Sequence, residues 1–300
     1  MTIAVLLKQV PDTTAKITVS GGRVDESAVS KWSMSPYDES ALESALQLKD
    51  SGGDDIVVIP AGPTRCEKLL RDAAAVGADN LVHVLVENIG ALDSTQVQAL
   101  LAAAVTNSGA EVVFCGKQAA DTNAGSTGPG VAELLGAACV TLVSKVSADG
   151  DGYTALRPSA AGSERVAVST PCVFAFDKGR TEMRRPNVRG IMMAKKKHIE
   201  TLTAGDLGVD LGAASVTIIS HSPPAEKPPG QKFEGADSVS TVVGKLRDEA
   251  NVICGGFYYG IHSYCRIYRR LTPLDNRTTR GRCLRSGRVS NGRGTRWDWG

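Results

Sequence analysis

The stretch Val112-Val113-Phe114-Cys115-Gly116-Lys117-Gln118-Ala119-Ala120-Asp121-Thr122-Asn123-Ala124-Gly125-Ser126-Thr127-Gly128-Pro129-Gly130 decides how this chain is read. A short apolar run ends at Cys115, a polar loop of small residues follows, and a helical pattern sets in at Val131. In an open α/β sheet, ligands bind in such a place, outside the carboxyl end of a strand. The loop offers one carboxylate, three hydroxyls and four glycines. Residues with little side-chain bulk let backbone N–H groups approach an anion, and the N-terminus of the next helix favours negative charge. An ordinary strand-to-helix connection would share most of these features. It is not a Walker A loop, because the lysine precedes the glycines and no Gly-Lys-Ser/Thr closes it.

Working outward, the same strand-then-helix alternation fills the first half. Ile3–Leu7 is an apolar run suited to burial on both faces of a parallel sheet. A turn is expected at Lys8–Asp12, then a small hairpin from Ile17–Val19 and Arg23–Asp25 around Gly21-Gly22. Ser35 is placed to cap a helix with Pro36 at its first position, acids in its first turn, and an end at Gly52-Gly53. Strands follow at Asp55–Pro60, Leu81–Val86 and Glu111–Cys115, with helices through Cys66–Val76 and Ser94–Asn107, the latter capped near Ser94 or Thr95. A helix at Val131–Leu135 leads to a strand over Ala138–Ser147. These spacings predict right-handed βαβ units.

Then the period changes. Tyr153–Arg157, Glu164–Ser169 and Cys172–Phe176 read as exposed strands of a meander, an antiparallel extension of the sheet. Ile191–His198 is a short helix with a basic end, Thr203–Gly208 a turn, and Val216–Ile219 a strand. Ser222–Gly230, with four prolines, reads as an extended arm, and Val239–Ala250 as a short helix. The expected organisation is therefore an α/β domain over 1–220, an arm and helix over 221–253, and an atypical tail over 254–300.

Charge supports that last boundary. The formal net charge is +2, but the 47 residues from Cys254 hold ten arginines, no lysine and only Asp275 and Asp298, leaving 1–253 at −6. An acidic main body argues against nucleic-acid binding there. The tail reads as a disordered extension or as residues from a shifted reading frame. The seven cysteines are irregularly spaced and read as reduced core thiols; His83, His198, His221 and His262 stand apart and form no ligand spacing. No signal peptide and no run of about 20 apolar residues is visible, so the expected location is the cytoplasm. No catalytic set is present: no Gly-x-Ser-x-Gly elbow and no dinucleotide fingerprint after Leu7. What remains is a nucleotide pocket bordered by Leu7–Gln9, Pro60–Cys66 and Asp121–Gly130. In it Asp121 or Asn123 would accept from a ribose or adenine donor, and N–H groups near Thr127 and Gly128 would hold phosphate.

Four fragments carry a family resemblance: Lys8-Gln9-Val10-Pro11-Asp12; Ser35-Pro36-Tyr37-Asp38-Glu39-Ser40-Ala41-Leu42-Glu43; Gly116-Lys117-Gln118-Ala119-Ala120-Asp121; and Arg189-Gly190-Ile191-Met192-Met193-Ala194-Lys195-Lys196-Lys197. In this order they resemble the beta subunit of electron transfer flavoprotein (ETF), over residues 1 to about 253. The resemblance implies a mostly parallel, Rossmann-like sheet of the adenine nucleotide hydrolase-like type. It implies a heterodimer in which the ETF alpha subunit holds most of the redox FAD, while the beta subunit binds AMP, or a second FAD in bifurcating members. Electrons would arrive from a flavoprotein dehydrogenase and leave to an ETF-quinone oxidoreductase or another carrier.

Carried over by position, the resemblance implies a nucleotide site of the Leu7 backbone, Ser35, Cys66, Asp121, Asn123, Thr127 and Gly128. It puts Thr13 or Thr14 near the flavin of the alpha subunit, and makes 184–197 the segment that docks dehydrogenases, with Val188, Arg189, Ile191 and Met192. Val188 stands where the family has an anchoring leucine, a loss of one methylene worth about 0.8 kcal/mol when buried. Ser35 stands where the family has asparagine before the proline. The loop Asp121–Pro129 has a Thr-Gly pair closer to the AMP form, while Pro129 matches the bifurcating form. A stand-alone adenine-nucleotide-binding regulatory protein is the alternative from another class.

Overall fold

A computed structural model of the chain describes residues 1–52, 54–150, 152–179, 182–226 and 229–253. The tail over 254–300 lies outside the described residues. The strands are β1 (Thr2–Leu7), β2 (Gln9–Pro11), β3 (Val19–Ser20), β4 (Arg23–Val24), β5 (Trp32–Met34), β6 (Asp55–Gly62) and β7 (Asn80–Leu85). They continue with β8 (Val112–Gly116), β9 (Ala138–Val143), β10 (Lys145–Asp149), β11 (Gly152–Ser159), β12 (Gly162–Ser169), β13 (Cys172–Phe176) and β14 (Glu200–Leu202). The helices are α1 (Pro36–Gly52), α2 (Glu67–Val76), α3 (Ser94–Ser108), α4 (Thr127–Leu135), α5 (Val188–Lys196) and α6 (Val239–Asp248).

Seven strands form one sheet in the order β14-β7-β6-β1-β8-β13-β9, and every recorded pairing within it is parallel. The apolar runs read from sequence are buried because both sheet faces are covered. Along β1, Ile3, Val5 and Leu7 join one core with Leu42 and Leu46 of α1 and Leu70 of α2. Ala4 and Leu6 point the other way, into a core with Leu100 and Val105 of α3 and Val131 of α4. The period of two in the strands thus splits each run between two layers of helices.

The three strands β10, β11 and β12 form a separate antiparallel sheet, as the change of period predicts. Cys172–Phe176 does not belong to it. This β13 is fully buried and lies between β8 and β9 in the parallel sheet. The antiparallel sheet serves as the crossover from β9 to β13, standing where a helix usually stands, and its Val146, Tyr153 and Ala155 enter the core beside Phe174. Phe174 meets Phe114 edge-on at 5.5 Å and Tyr153 at 6.0 Å between ring centroids.

Other expectations shift locally. Lys8–Asp12 is no turn, since Gln9–Pro11 pairs antiparallel with Trp32–Met34. The Asp93 carboxylate, rather than Ser94 or Thr95, caps α3, and the Gln96 side chain returns the bond to complete a capping box. Ala138–Ser147 breaks at Ser144 and splits into β9 and β10, and within β9 Leu142 has φ +60° where the register against β13 shifts. Helix α4 begins at Thr127, four residues before the apolar pattern, because Gly128, Pro129 and Gly130 form its first turn. Val216–Ile219 forms no strand, and all three of Val216, Ile218 and Ile219 are exposed. The short β14 extends the sheet at its edge without a strong apolar signal.

Chain contacts divide the molecule between Ala225 and Glu226. Beyond that point α6 is the one regular helix among the described residues and buries none of its side chains. Among the described residues no helix is long and apolar enough to cross a membrane. Phe174→Ala should destabilise the protein by about 3–5 kcal/mol, read as a lower urea midpoint with an unchanged slope.

Candidate functional site

The sheet reverses its winding at β1. From there the chain adds β6 and β7 on one side, then crosses to β8 on the other. Between the carboxyl ends of β1 and β8 the two crossover directions diverge and leave a crevice. Three segments border it: the end of β1 with Lys8, the start of α1, and the loop from Gly116 to α4.

Asp38, in the first turn of α1, ties these segments together. Its carboxylate accepts from the Lys8 backbone N–H at 2.7 Å and from the Gly116 N–H at 2.9 Å. Gly116 has to be glycine here, because a Cβ at that position would overlap the Asp38 carboxylate and the Tyr37 Cβ. Burial pushes the Asp38 carboxyl up to about 7, against the two N–H donors and the Lys8 cation, which favour its charged form. The sequence marks Asp38 only as an acid near a helix N-terminus; its bridging of two strand ends depends on the register of β1 against β8.

Ser35 precedes α1 and is completely buried. Its hydroxyl does not cap the helix as expected. The Ser35 carbonyl accepts from the N–H groups of Asp38 and Glu39 at 2.9 and 3.0 Å, while Oγ has no hydrogen-bond partner. A buried hydroxyl without a partner is costly and asks for a ligand or another donor.

The loop after β8 carries the remaining polar groups. Lys8 Nζ meets both carboxylate oxygens of Asp121, at 2.9 and 2.8 Å. The Gln118 amide donates to Asn123 Oδ1 at 2.8 Å and to the Tyr37 hydroxyl at 3.2 Å. Asn123 itself adopts φ +52°, a conformation that asparagine tolerates better than most residues. Lys117 pairs with Asp177 at 2.9 Å and lies 5.4 Å from the Tyr37 ring centroid. The loop ends at Thr127 and Gly128. Gly128 is buried, and a Cβ there would press on Cys115 Sγ. Ser126, before the helix, makes no side-chain cap bond. The first N–H groups of α4 are thus the unpaired donors every helix start presents, next to side chains small enough for an anion to approach them.

Leu7 is buried at the end of β1, and Cys66 is buried after β6, with its Sγ 3.9 Å from Gln9 Oε1. Burial raises the Cys66 thiol to about 11, so it is no thiolate nucleophile at neutral pH. Thr13 and Thr14 lie on the exposed stretch after β2, where Thr14 bonds to the Asp12 carboxylate through its N–H and its hydroxyl. Val188, Arg189, Ile191 and Met192 are exposed on α5, which packs against α2. Among the described residues no group of His, Cys, Asp or Glu is placed to hold a metal ion. The crevice is therefore bordered by polar side chains and glycines.

Comparison with known proteins agrees with this architecture. The family profile described as the electron transfer flavoprotein domain matches residues 24–207. The chain is 32% identical over 258 residues to electron transfer flavoprotein subunit beta of Bacillus subtilis, covering 84% of this chain and 100% of that one. It is 34% identical to the Mus musculus subunit, covering 83% and 97%. To the mitochondrial subunit of Arabidopsis thaliana it is 35% identical, covering 84% and 100%.

Asp38 also sets a pH dependence. Its folded value lies above the ordinary 3.8, so the folded state binds an extra proton between about pH 4 and 7. This contribution to stability is complete below pH 4 and is lost as pH rises through 7. Asp38→Asn presents an amide N–H₂ to one of the two backbone donors and should cost about 1–3 kcal/mol at pH 5. Its deficit against the parent should shrink by pH 8, as measured by urea unfolding at both values.

Proposed function

The chain belongs to the electron transfer flavoprotein beta-subunit family, and we propose that its crevice between β1 and β8 holds AMP beside an FAD carried mainly by an alpha subunit. As a member of that family it is an electron-carrier component rather than a stand-alone catalyst. The unpartnered, buried Ser35 hydroxyl at the switch point carries the nucleotide reading. It stands with a helix start formed by Thr127 and Gly128 and with the polar loop of Asp121 and Asn123.

In this reading the first N–H groups of α4 receive phosphate, and glycine at 128 lets the helix start pack closely on Cys115. Asp121, held by Lys8, and Asn123, held by Gln118, accept from ribose or adenine donors. Ser35 Oγ gains the partner that the protein does not give it. The Leu7 backbone and Cys66 complete the border of the crevice. Thr13 or Thr14, both exposed after β2, faces the alpha subunit near its flavin. The flavin, when bound, supplies the one- and two-electron chemistry. This chain's residues orient it, exclude water and fix distances. The exposed Val188, Arg189, Ile191 and Met192 of α5 dock a flavoprotein dehydrogenase, and electrons leave to an ETF-quinone oxidoreductase or a comparable acceptor. The segment over 221–253 serves as an arm on the alpha subunit. Four free cysteines among the described residues go with a reducing, cytoplasmic location.

Native mass spectrometry of the co-expressed alpha–beta pair should release one FAD and one AMP per heterodimer. A pair without flavin overturns the electron-transfer reading, and two FADs without AMP overturn the nucleotide assignment. Ser35→Ala removes a hydroxyl that makes no bond within the protein. It should therefore weaken AMP retention by about 2–10-fold, the worth of one hydrogen bond, while the nucleotide-free chain keeps its urea midpoint.

A further inference from the structure

Helix α5 presents an unusual surface for a nine-residue helix. Val188 and Met192 are 76% and 62% exposed, Met193 is 62% exposed, and only Ala194 is buried. So little apolar burial cannot by itself hold a short helix in one position. Two arginines from outside the helix supply what burial does not.

Arg184 lies ahead of α5 and reaches α1. Its backbone N–H donates to Glu43 Oε2 at 3.1 Å, its Nε to the same oxygen at 3.0 Å, and an Nη to Glu43 Oε1 at 3.0 Å. The same guanidinium meets Asp50 at 2.9 Å, one end of α1 removed from the crevice. Glu43 is 4% exposed and also accepts from Gln47 at 3.1 Å. Burial pushes its carboxyl up, but the Arg184 bonds outweigh this and hold it below its ordinary value. A planar fork against a buried carboxylate fixes direction as well as distance, which a lysine cannot do.

At the other end, Arg71 of α2 donates to the carbonyl oxygens of Ala194, at 2.8 Å, and Lys197. Ala194 is in the last turn of α5 and its carbonyl also accepts from the Lys197 N–H at 3.2 Å, while Lys197 is the residue that ends the helix. Between the two straps Gly190 lies so close to α2 that a Cβ would overlap the Ala75 carbonyl oxygen. The Asn187 side chain caps the start through the Gly190 N–H at 2.7 Å.

We propose that Arg184 and Arg71 are positioning residues that strap α5 to α1 and α2, so that Val188, Ile191, Met192 and Met193 face a partner as one preformed surface. The docking half of this statement rests on the function proposed above. A preformed surface avoids the ordering cost that a loose segment would incur on each encounter. That suits a carrier that must bind, exchange electrons and leave. The Arg184 strap also joins the docking helix to α1, whose first turn lies at the nucleotide crevice.

The test uses the intact, FAD-loaded alpha–beta pair. Hydrogen–deuterium exchange of residues 188–196 should speed up about tenfold or more in Arg184→Ala and in Arg71→Ala. Amides of β1 and β8 should stay protected, which separates local release from unfolding. Arg184→Lys keeps the charge but loses the fork, and should fall between the parent and Arg184→Ala. With a purified acyl-CoA dehydrogenase as electron donor, KM for the pair should rise about 2–30-fold in the arginine variants, with a much smaller change in kcat.

Unchanged exchange in 188–196 overturns the straps. Faster exchange with unaltered KM overturns their part in docking, provided that Ile191→Asp raises KM. If Ile191→Asp leaves KM unaltered as well, the docking reading itself fails, and the exchange result alone decides the straps.

Discussion

Two backbone N–H groups converge on one carboxylate, and the architecture of the crevice depends on that convergence. Lys8 follows the first strand and Gly116 ends the strand beside it; both donate to Asp38. Parallel strands diverge beyond their last ladder bond, and nothing in the ladder itself holds their ends at a chosen separation. Asp38 does so from a third element, at the start of α1. The cost is a carboxyl buried deeply enough to be pushed up to about 7. Gly116 allows the approach because it has no side chain to obstruct the acid.

Helix α1 therefore works as a spine. Its first turn closes the strand ends, and Ser40 accepts from the Gly179 N–H at 3.0 Å. Glu43 then takes the Arg184 fork, and Leu42 and Leu46 fill the core under the sheet. One element thus touches the crevice, the central core and the segment leading to α5. Electron transfer needs cofactors and partners held at fixed distances rather than groups that exchange protons. A chain whose buried thiols are pushed up, and whose acids are tied to backbone donors or arginines, fits that need.

The local physics of the sequence carried most of the framework. Apolar runs such as Ile3–Leu7 and Val112–Cys115 identify doubly covered strands because no polar residue interrupts them. Proline and acids after Ser35, and the Gly52-Gly53 pair, bound a helix for reasons internal to the segment. The reading failed where a segment's fate depends on a distant neighbour. Cys172–Phe176 follows two antiparallel strands and reads as a third, yet it enters the parallel sheet, where Phe114 and Tyr153 receive Phe174. Gln9–Pro11 reads as a turn until Trp32–Met34 arrives to pair with it. Val216–Ile219 has strand-forming side chains, but among the described residues no strand pairs with it.

The candidate site divides along the same line. The sequence by itself determined the α/β class, the polar glycine loop after Cys115 and the family fragments, because composition and spacing within a dozen residues encode them. Only the tertiary structure decided that Ser35 offers its carbonyl to the helix and leaves its hydroxyl unpartnered. The same holds for Lys8 restraining Asp121, for Asp38 joining two strands, and for Arg184 reaching back to Glu43. Each of these joins residues far apart in the chain, and sheet order and helix packing set the distances between them. A side chain's neighbours across the fold, more than its own chemistry, fix what it does here.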